Sequence, residues 1–249
     1  YQQALKNDDI KKTYEVAEKQ YEKGKYQKAI RLFEQISQSY NGKPQAEKMF
    51  YMYSQALYKT KQYYTAGYQF ERFSAGYPRS EKVEEASFLS AKSYYMLSPR
   101  YSLDQVDTYK ALDKLQQFID NYPNSQYMAE ANTLVKELRE KLEQKAFEIA
   151  RQYNMISEYT GDHNAAIKAL DNFILDYPGT KFKEDALYYK FDSSFQLAIN
   201  SVPAKMHERL ETAKGNYNAL VKFSPSTKYK EQADKQLARI ESELQKISK

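Results

Sequence analysis

His163 and His207 are the only imidazoles in 249 residues, and no cysteine accompanies them. A zinc site needs three or four nitrogen, sulfur or carboxylate ligands converging on one point. His163 sits in the turn "TGDHN" and His207 in "KMHERL", on an expected helix. Both read as ordinary polar positions, so neither a metal nor a cofactor is expected. The adjacent acids Asp8–Asp9 and Glu84–Glu85 diverge on a helix and read as a solvated face rather than an acid–base pair. No glycine-rich phosphate loop, G-x-S-x-G elbow or H-E-x-x-H pair occurs in the sequence. Thiol nucleophiles, thiolate clusters and disulfides are excluded with cysteine itself. The chain is therefore not expected to be an enzyme, and the chemistry that remains is recognition.

Recognition has material to work with. Aromatic residues make up 15% of the chain, as 25 tyrosines and 12 phenylalanines with no tryptophan. Tyrosine buries its ring while keeping its hydroxyl in water, which suits thin packed layers and binding faces alike. Tyr14, Tyr51 and Phe88 stand 37 residues apart, and so do Tyr21, Tyr58 and Tyr95. These columns are expected to line a peptide-binding groove as a partly exposed aromatic strip, because rigid rings lose little entropy on binding an extended chain. The competing reading stacks the same rings between helices as core. Lys11, Lys48 and Lys92 flank the columns and would supply a diffuse positive field for a chain terminus.

The elements that must position these residues repeat. "AGYPRSEKVEEA", "DNYPNSQYMAEA" and "LDYPGTKFKEDA" share one punctuation, with a weaker copy in "FSPSTKYKEQA". Proline lacks the amide that a helix interior needs and turns the preceding residue out of the α region, so a helix ends at each tyrosine. Ser80, Ser125 and Thr180 are expected to act as N-caps of the next helix. Ala17, Ser54 and Ala91 recur every 37 residues, small enough to let paired helices approach. Second helices follow in register, with Ala29 and Ala66, Phe33 and Phe70, Ile36 and Phe73, Tyr40 and Tyr77. The second repeat follows the tetratricopeptide spacing, although the period is 37 rather than the usual ~34.

Residues 126–158 contain neither proline nor glycine, and Leu134, Leu138, Leu142, Ile149 and Tyr153 recur there at helical spacing. One long helix, unbroken through Lys136–Arg151, is expected. Residues 228–249 read as a terminal helix with Leu237, Ile240, Leu244 and Ile247 on one face. The expected fold is all-α, with more than about 70% helix and no sheet. It is a tetratricopeptide-repeat superhelix of about five helical hairpins with a C-terminal capping helix. Residues 1–125 are expected to form the N-terminal repeats 1–3. Residues 126–249 are expected to carry the long connecting helix, repeats 4–5 and the capping helix. The net charge of +5 comes from 38 basic and 33 acidic residues scattered without blocks, which argues against nucleic acid. No stretch is apolar for the ~18–20 residues a membrane span needs.

The segment "LSPRYSLDQVDTYKALDKLQQFIDNYPNSQYMAEA", followed by the long helix, "IARQY" and "ALDNFILDYPGTKFKEDAL", resembles the BamD (YfiO) family of outer-membrane assembly lipoproteins. It departs from the family in a longer turn at "NMISEYTGDHNAA" and in the tail after Pro203. The resemblance implies a non-enzymatic scaffold of the β-barrel assembly machine at the periplasmic face of the outer membrane of a Gram-negative bacterium. It implies docking of the C-terminal half on the periplasmic domains of the barrel subunit BamA. It also implies handling of unfolded outer-membrane proteins by the N-terminal repeats. Membrane attachment would come only from an N-terminal lipid anchor absent from this chain, on a cysteine preceding Tyr1, with residues 1–12 as tether. A Tol–Pal-associated adaptor and a surface glycan-binding lipoprotein are the alternatives. The "SPRYSLDQ" insert argues against the first and the absence of tryptophan against the second.

Overall fold

The computed structural model describes residues 1–5 and 9–247. Helix accounts for 79% of the chain, and no strand occurs among the described residues. After a short α1 (Gln2–Leu5) come the paired helices α2 (Ile10–Glu22) and α3 (Tyr26–Tyr40), α4 (Ala46–Lys59) and α5 (Tyr63–Gly76), and α6 (Val83–Leu97) and α7 (Val106–Asn121). Then follow α8 (Met128–Thr160) and α9 (His163–Asp176), α10 (Lys183–Ile199) and α11 (Pro203–Phe223), and the closing α12 (Lys230–Ile247). This is the expected all-α tetratricopeptide-type array of five hairpins and a cap. The chain forms two compact units, Tyr1–Arg139 and Glu140–Lys249, whose boundary falls inside α8. That helix is continuous over 33 residues, about 50 Å at 1.5 Å per residue.

In the first unit the period becomes packing. Ala17, Ser54 and Ala91 are all buried, which lets the helices of each hairpin close up. Ala29 with Ala66, Phe33 with Phe70 and Ile36 with Phe73 fill the seams from the second helices. Full burial of each large side chain contributes roughly 1.5–3 kcal/mol. The insert before α7 is held by Gln105, a buried side chain whose Nε2 donates to the carbonyls of Arg100 and Leu103, both at 2.9 Å. Thr108 Oγ1 donates to Gln105 Oε1 at 2.7 Å and completes the tie.

The repeated punctuation is a clasp between successive hairpins. Tyr77, Tyr122 and Tyr177 each lie 5.3 Å, centroid to centroid, from the phenylalanine four residues earlier. Each tyrosine carbonyl then accepts the amide of Ser80, Ser125 or Thr180 at 3.0–3.1 Å, closing a four-residue turn around the proline. The hydroxyls do not cap helices. Each accepts the amide two residues on, at 3.0–3.2 Å, while the helices begin one residue later still, at Val83, Met128 and Lys183. The proton on such an oxygen remains available for a second contact, since a hydroxyl accepts and donates at once. Ser80 donates to Glu47 at 2.6 Å, Ser125 to Glu84 at 2.5 Å and Thr227 to Glu184 at 2.5 Å, each acid lying in the first helix of the preceding hairpin. Side-chain capping falls instead to Asp9 of α2 and Asp162 of α9.

The residue after that amide-bearing turn adds a ring. Tyr127 stacks on Phe88 at 4.7 Å, Phe182 on Phe147 at 5.0 Å and Tyr229 on Tyr188 at 3.8 Å. Lys82 takes the same place over Tyr51, its ammonium 5.6 Å from the ring centre. Sequence and structure part in three further places. Leu134 and Leu138 are buried, whereas Ile149 and Tyr153 are exposed, because the two halves of α8 enter different core clusters. His163 is buried as the first residue of α9, with Nδ1 lacking a hydrogen-bond partner. Tyr1 and Ala4 pack on the first hairpin rather than acting as free tether. Asp8, the middle of residues 1–12 and the last two residues of the terminal helix lie outside the described residues.

Candidate peptide-binding face

The first helices α2, α4 and α6 carry both aromatic columns. In the upper column, Tyr14 is 6% and Phe88 2% exposed. Tyr14 stacks on Tyr40 at 5.1 Å, and Phe88 lies between Phe118 at 5.3 Å and Tyr127 at 4.7 Å. These two rings belong to the core because Tyr40 at the end of α3 covers Tyr14 and the clasp residue Tyr127 covers Phe88. Tyr51 is half-buried, edged by Phe73 at 5.5 Å and Phe70 at 6.4 Å, and its hydroxyl accepts from Gln55 Nε2 at 2.9 Å. The lower column is half-buried throughout. Tyr21 meets Tyr26 and Tyr58 meets Tyr63, both edge-on at 5.5 Å, and the Tyr95 hydroxyl donates to Glu137.

The phenols are held protonated. Burial, then the Glu18 carboxylate, pushes Tyr14 up to about 12. Burial comes first for Tyr51 also, followed by hydrogen bonding with Glu85. Burial raises Tyr21 and Tyr58. Tyr95 is pushed up to about 12, first by its hydrogen bond to Glu137 and then by burial. At neutral pH these residues therefore present ring faces and O–H groups, not charge.

The flanking lysines differ from the expected diffuse positive field. Lys48 Nζ lies 2.5 Å from Glu18 and Lys92 Nζ 2.6 Å from Glu130. Each pair bridges neighbouring hairpins, so both cations are neutralised where they stand. Lys82 likewise pairs with Glu85 at 3.1 Å. Lys11 is exposed at the start of α2. Glu18, Glu130 and Glu137 are thus parts of the face that composition and spacing did not single out, and Glu85, read from the sequence as a solvated acid, joins them through Lys82. A residue-by-residue test of opposite charges one hairpin apart would have found Glu18 and Lys48.

In the second unit, a buried polar chain occupies the first helices. Asn154 Nδ2 of α8 donates to Asp192 Oδ2 of α10 at 2.9 Å, and Gln236 Nε2 of α12 donates to Asp192 Oδ1 at 2.7 Å. No cluster of three or more metal-ligating side chains occurs among the described residues. Nor does any helix among them have the length and apolarity to cross a membrane.

A family model described as "YfiO: Outer membrane lipoprotein" matches residues 6–161 and 156–247. The outer membrane protein assembly factor BamD of Rickettsia prowazekii is 26% identical over 184 residues, 74% of this chain and 72% of that protein. The putative outer membrane protein assembly factor BamD of Aquifex aeolicus is 26% identical over 214 residues, covering 82% of this chain and 67% of its own length. Among solved structures, the TPR2AB domain of yeast Sti1 in its pHSP90 complex aligns at a TM-score of 0.44 with 13% identity, over 93% of this chain and 98% of that one.

Proposed function

The chain belongs to the YfiO family of outer membrane lipoproteins, and from that premise we propose that it is a non-catalytic assembly factor for outer-membrane proteins. The observation that carries the proposal is the family match across both compact units, residues 6–161 and 156–247. Curated relatives bearing the assembly-factor name support it. In this reading the chain works at the periplasmic face of the outer membrane, held there by a lipid on a cysteine upstream of Tyr1. It needs no cofactor.

The two halves divide the work. The N-terminal repeats take the unfolded barrel substrate on the face formed by α2, α4 and α6. Tyr21, Tyr51, Tyr58 and Tyr95 supply half-buried rings there. Barrel strands alternate apolar and polar side chains, so an extended segment seats every second residue against such rings while its backbone meets the phenol hydroxyls. The C-terminal half docks on the periplasmic domains of the barrel subunit BamA.

Calorimetry of the full chain with the isolated periplasmic domains of BamA, and separately with a urea-unfolded barrel precursor, tests both contacts. Saturable binding to each is expected. Tyr58→Ala should weaken only the precursor complex, by about 2 kcal/mol or more for a hot-spot ring. No affinity for either ligand, or capture of Tol–Pal components in their place from envelope extract, would overturn the proposal.

A further inference from the structure

A cleft between α4 and α5 of the first unit has a lining unlike that of its neighbour. This cleft, of about 460 Å³, opens between the turn after α3 (Asn41, Gly42, Lys43), the first turns of α4 (Ala46, Phe50) and the last turns of α5 (Gln69, Arg72, Phe73, Gly76, Tyr77). Its walls are aromatic, with Tyr77 5.3 Å from Phe73 and 6.4 Å from Phe50. Two cations stand at it, and no carboxylate among the described residues lines it. Neither Lys43 nor Arg72 has an ion pair among the described residues. Lys43 Nζ lies 5.4 Å above the Tyr40 ring and the Arg72 guanidinium 5.9 Å above Tyr68. The neighbouring acids are engaged elsewhere. Glu34 accepts from the Tyr53 hydroxyl at 3.3 Å, Glu47 from Ser80 at 2.6 Å, and Glu71 pairs with Lys114 at 2.6 Å.

The equivalent cleft of the next hairpin provides an internal control. It is smaller, about 250 Å³, and is lined by Glu71, Ser74, Ser87, Lys114, Phe118 and Tyr122 among others. Ser87 stands there where the first cleft has Phe50, and its hydroxyl meets Ser74 at 3.1 Å and Tyr122 at 3.3 Å. Its lysine is neutralised by Glu71 at 2.6 Å. One fold position thus carries two chemistries. The later cleft satisfies its own polar groups, while the earlier one leaves positive charge beside apolar rings.

We propose that the first cleft is a binding site for an acidic peptide segment, with an aspartate or glutamate side chain held by Lys43 and Arg72 and an adjacent apolar side chain set against Tyr77, whose ring packs on the buried Phe50 and Phe73. Arginine presents a planar fork that matches a carboxylate in a bidentate hydrogen-bonded pair. The side-chain amides of Asn41 and Gln69 are placed to meet the peptide backbone. A concave site with an apolar floor and a few polar groups fits a side chain better than a flat lipid surface. The cleft shares α4 and the buried Phe73 with the first-helix face, but its ligand does not depend on the substrate assigned to that face.

Fluorescence anisotropy on the full chain tests the assignment. The probe is a dye-labelled short peptide with a central aspartate–phenylalanine–glutamate, compared with its asparagine–phenylalanine–glutamine counterpart. The acidic peptide should bind saturably and the amide peptide at least about tenfold more weakly, as expected when a charge-assisted contact is lost. Arg72→Glu and Lys43→Glu, both exposed positions, should each produce a similar loss, and Lys114→Gln should not. Gly76→Leu serves as a second, independent block. A Cβ at Gly76 meets nothing within 4 Å, so the variant adds bulk to the cleft lining without a clash in the helix and should weaken binding. Equal affinity for both peptides, retained binding in Arg72→Glu or Gly76→Leu, or no binding at all would overturn the proposal. So would Arg72-dependent sedimentation with phosphatidylglycerol vesicles in place of peptide binding.

Discussion

Phe88 in the first unit and Phe147 in the second hold the same place in their hairpins, each under the ring of the following clasp. Further along the same helices the units diverge. In the first, Lys92 and Tyr95 reach Glu130 and Glu137 at a half-exposed rim. In the second, Arg151 and Asn154 hold the corresponding places, and Asn154 is buried in a hydrogen-bonded chain with Asp192 and Gln236. Rim ion pairs are worth at most about 1 kcal/mol and exchange readily with a ligand. Buried polar networks are costly to open, because every member left unpaired costs about 1–3 kcal/mol. One repeat design therefore yields a face that can trade its contacts for a ligand and another whose buried amide donors are already committed to Asp192, with Gln236 Oε1 left without a partner.

Truncation at the shared position should show the largest effect. Phe88→Ala and Phe147→Ala should each cost about 3–5 kcal/mol, read from urea unfolding, because both rings are buried and stacked. Tyr51→Ala should cost less stability, since its ring is half-buried and covered by Lys82 rather than by an aromatic. It should instead weaken binding of a barrel precursor. Equal stability losses at Tyr51 and Phe88, with precursor affinity unchanged, would return Tyr51 to the core and break the comparison.

Next in size is Asp192→Ala. It strands the Gln236 amide and removes one acceptor from Asn154, for a loss of about 2 kcal/mol in the second unit. The matching rim change, Glu130→Ala, should shift the urea midpoint by less than half as much. A clasp variant, Thr227→Val, keeps the side-chain shape and deletes the bond to Glu184. Its expected cost is about 1 kcal/mol, and hydrogen exchange in α12 should quicken.

The smallest effect is an alkaline one. Tyr95 is held at about 12 against an ordinary 10.0, so the folded state favours the protonated phenol. That contribution is complete below pH 10.0 and disappears as the pH rises from there to about 12. Glu137→Gln removes the first cause of the shift. In ultraviolet titration Tyr95 should then ionise earlier, and the alkaline loss of stability should become shallower. An unchanged titration would mean that burial alone sets the value.

Local chemistry was legible in the sequence wherever a residue acts on its own neighbours. Proline ended helices at Tyr77, Tyr122 and Tyr177, the absence of proline and glycine allowed the continuous α8, and Ala17, Ser54 and Ala91 marked the close-packed seams. Those effects depend on backbone sterics and side-chain volume, which spacing alone carries. What the tertiary structure decided was the destination of each polar atom and each ring. Ser80 and Ser125 had the right chemistry for caps, but each accepts the amide of a turn residue that precedes the helix, and gives its proton to a carboxylate 33 or 41 residues earlier. Lys48 and Lys92 looked like free charge until Glu18 and Glu130 met them across a hairpin. Tyr14 and Tyr51 stand in one column by period, yet one is core and the other half-exposed. Burial and pairing depend on which segments fold over a position, and a period measured along one chain does not contain that distance.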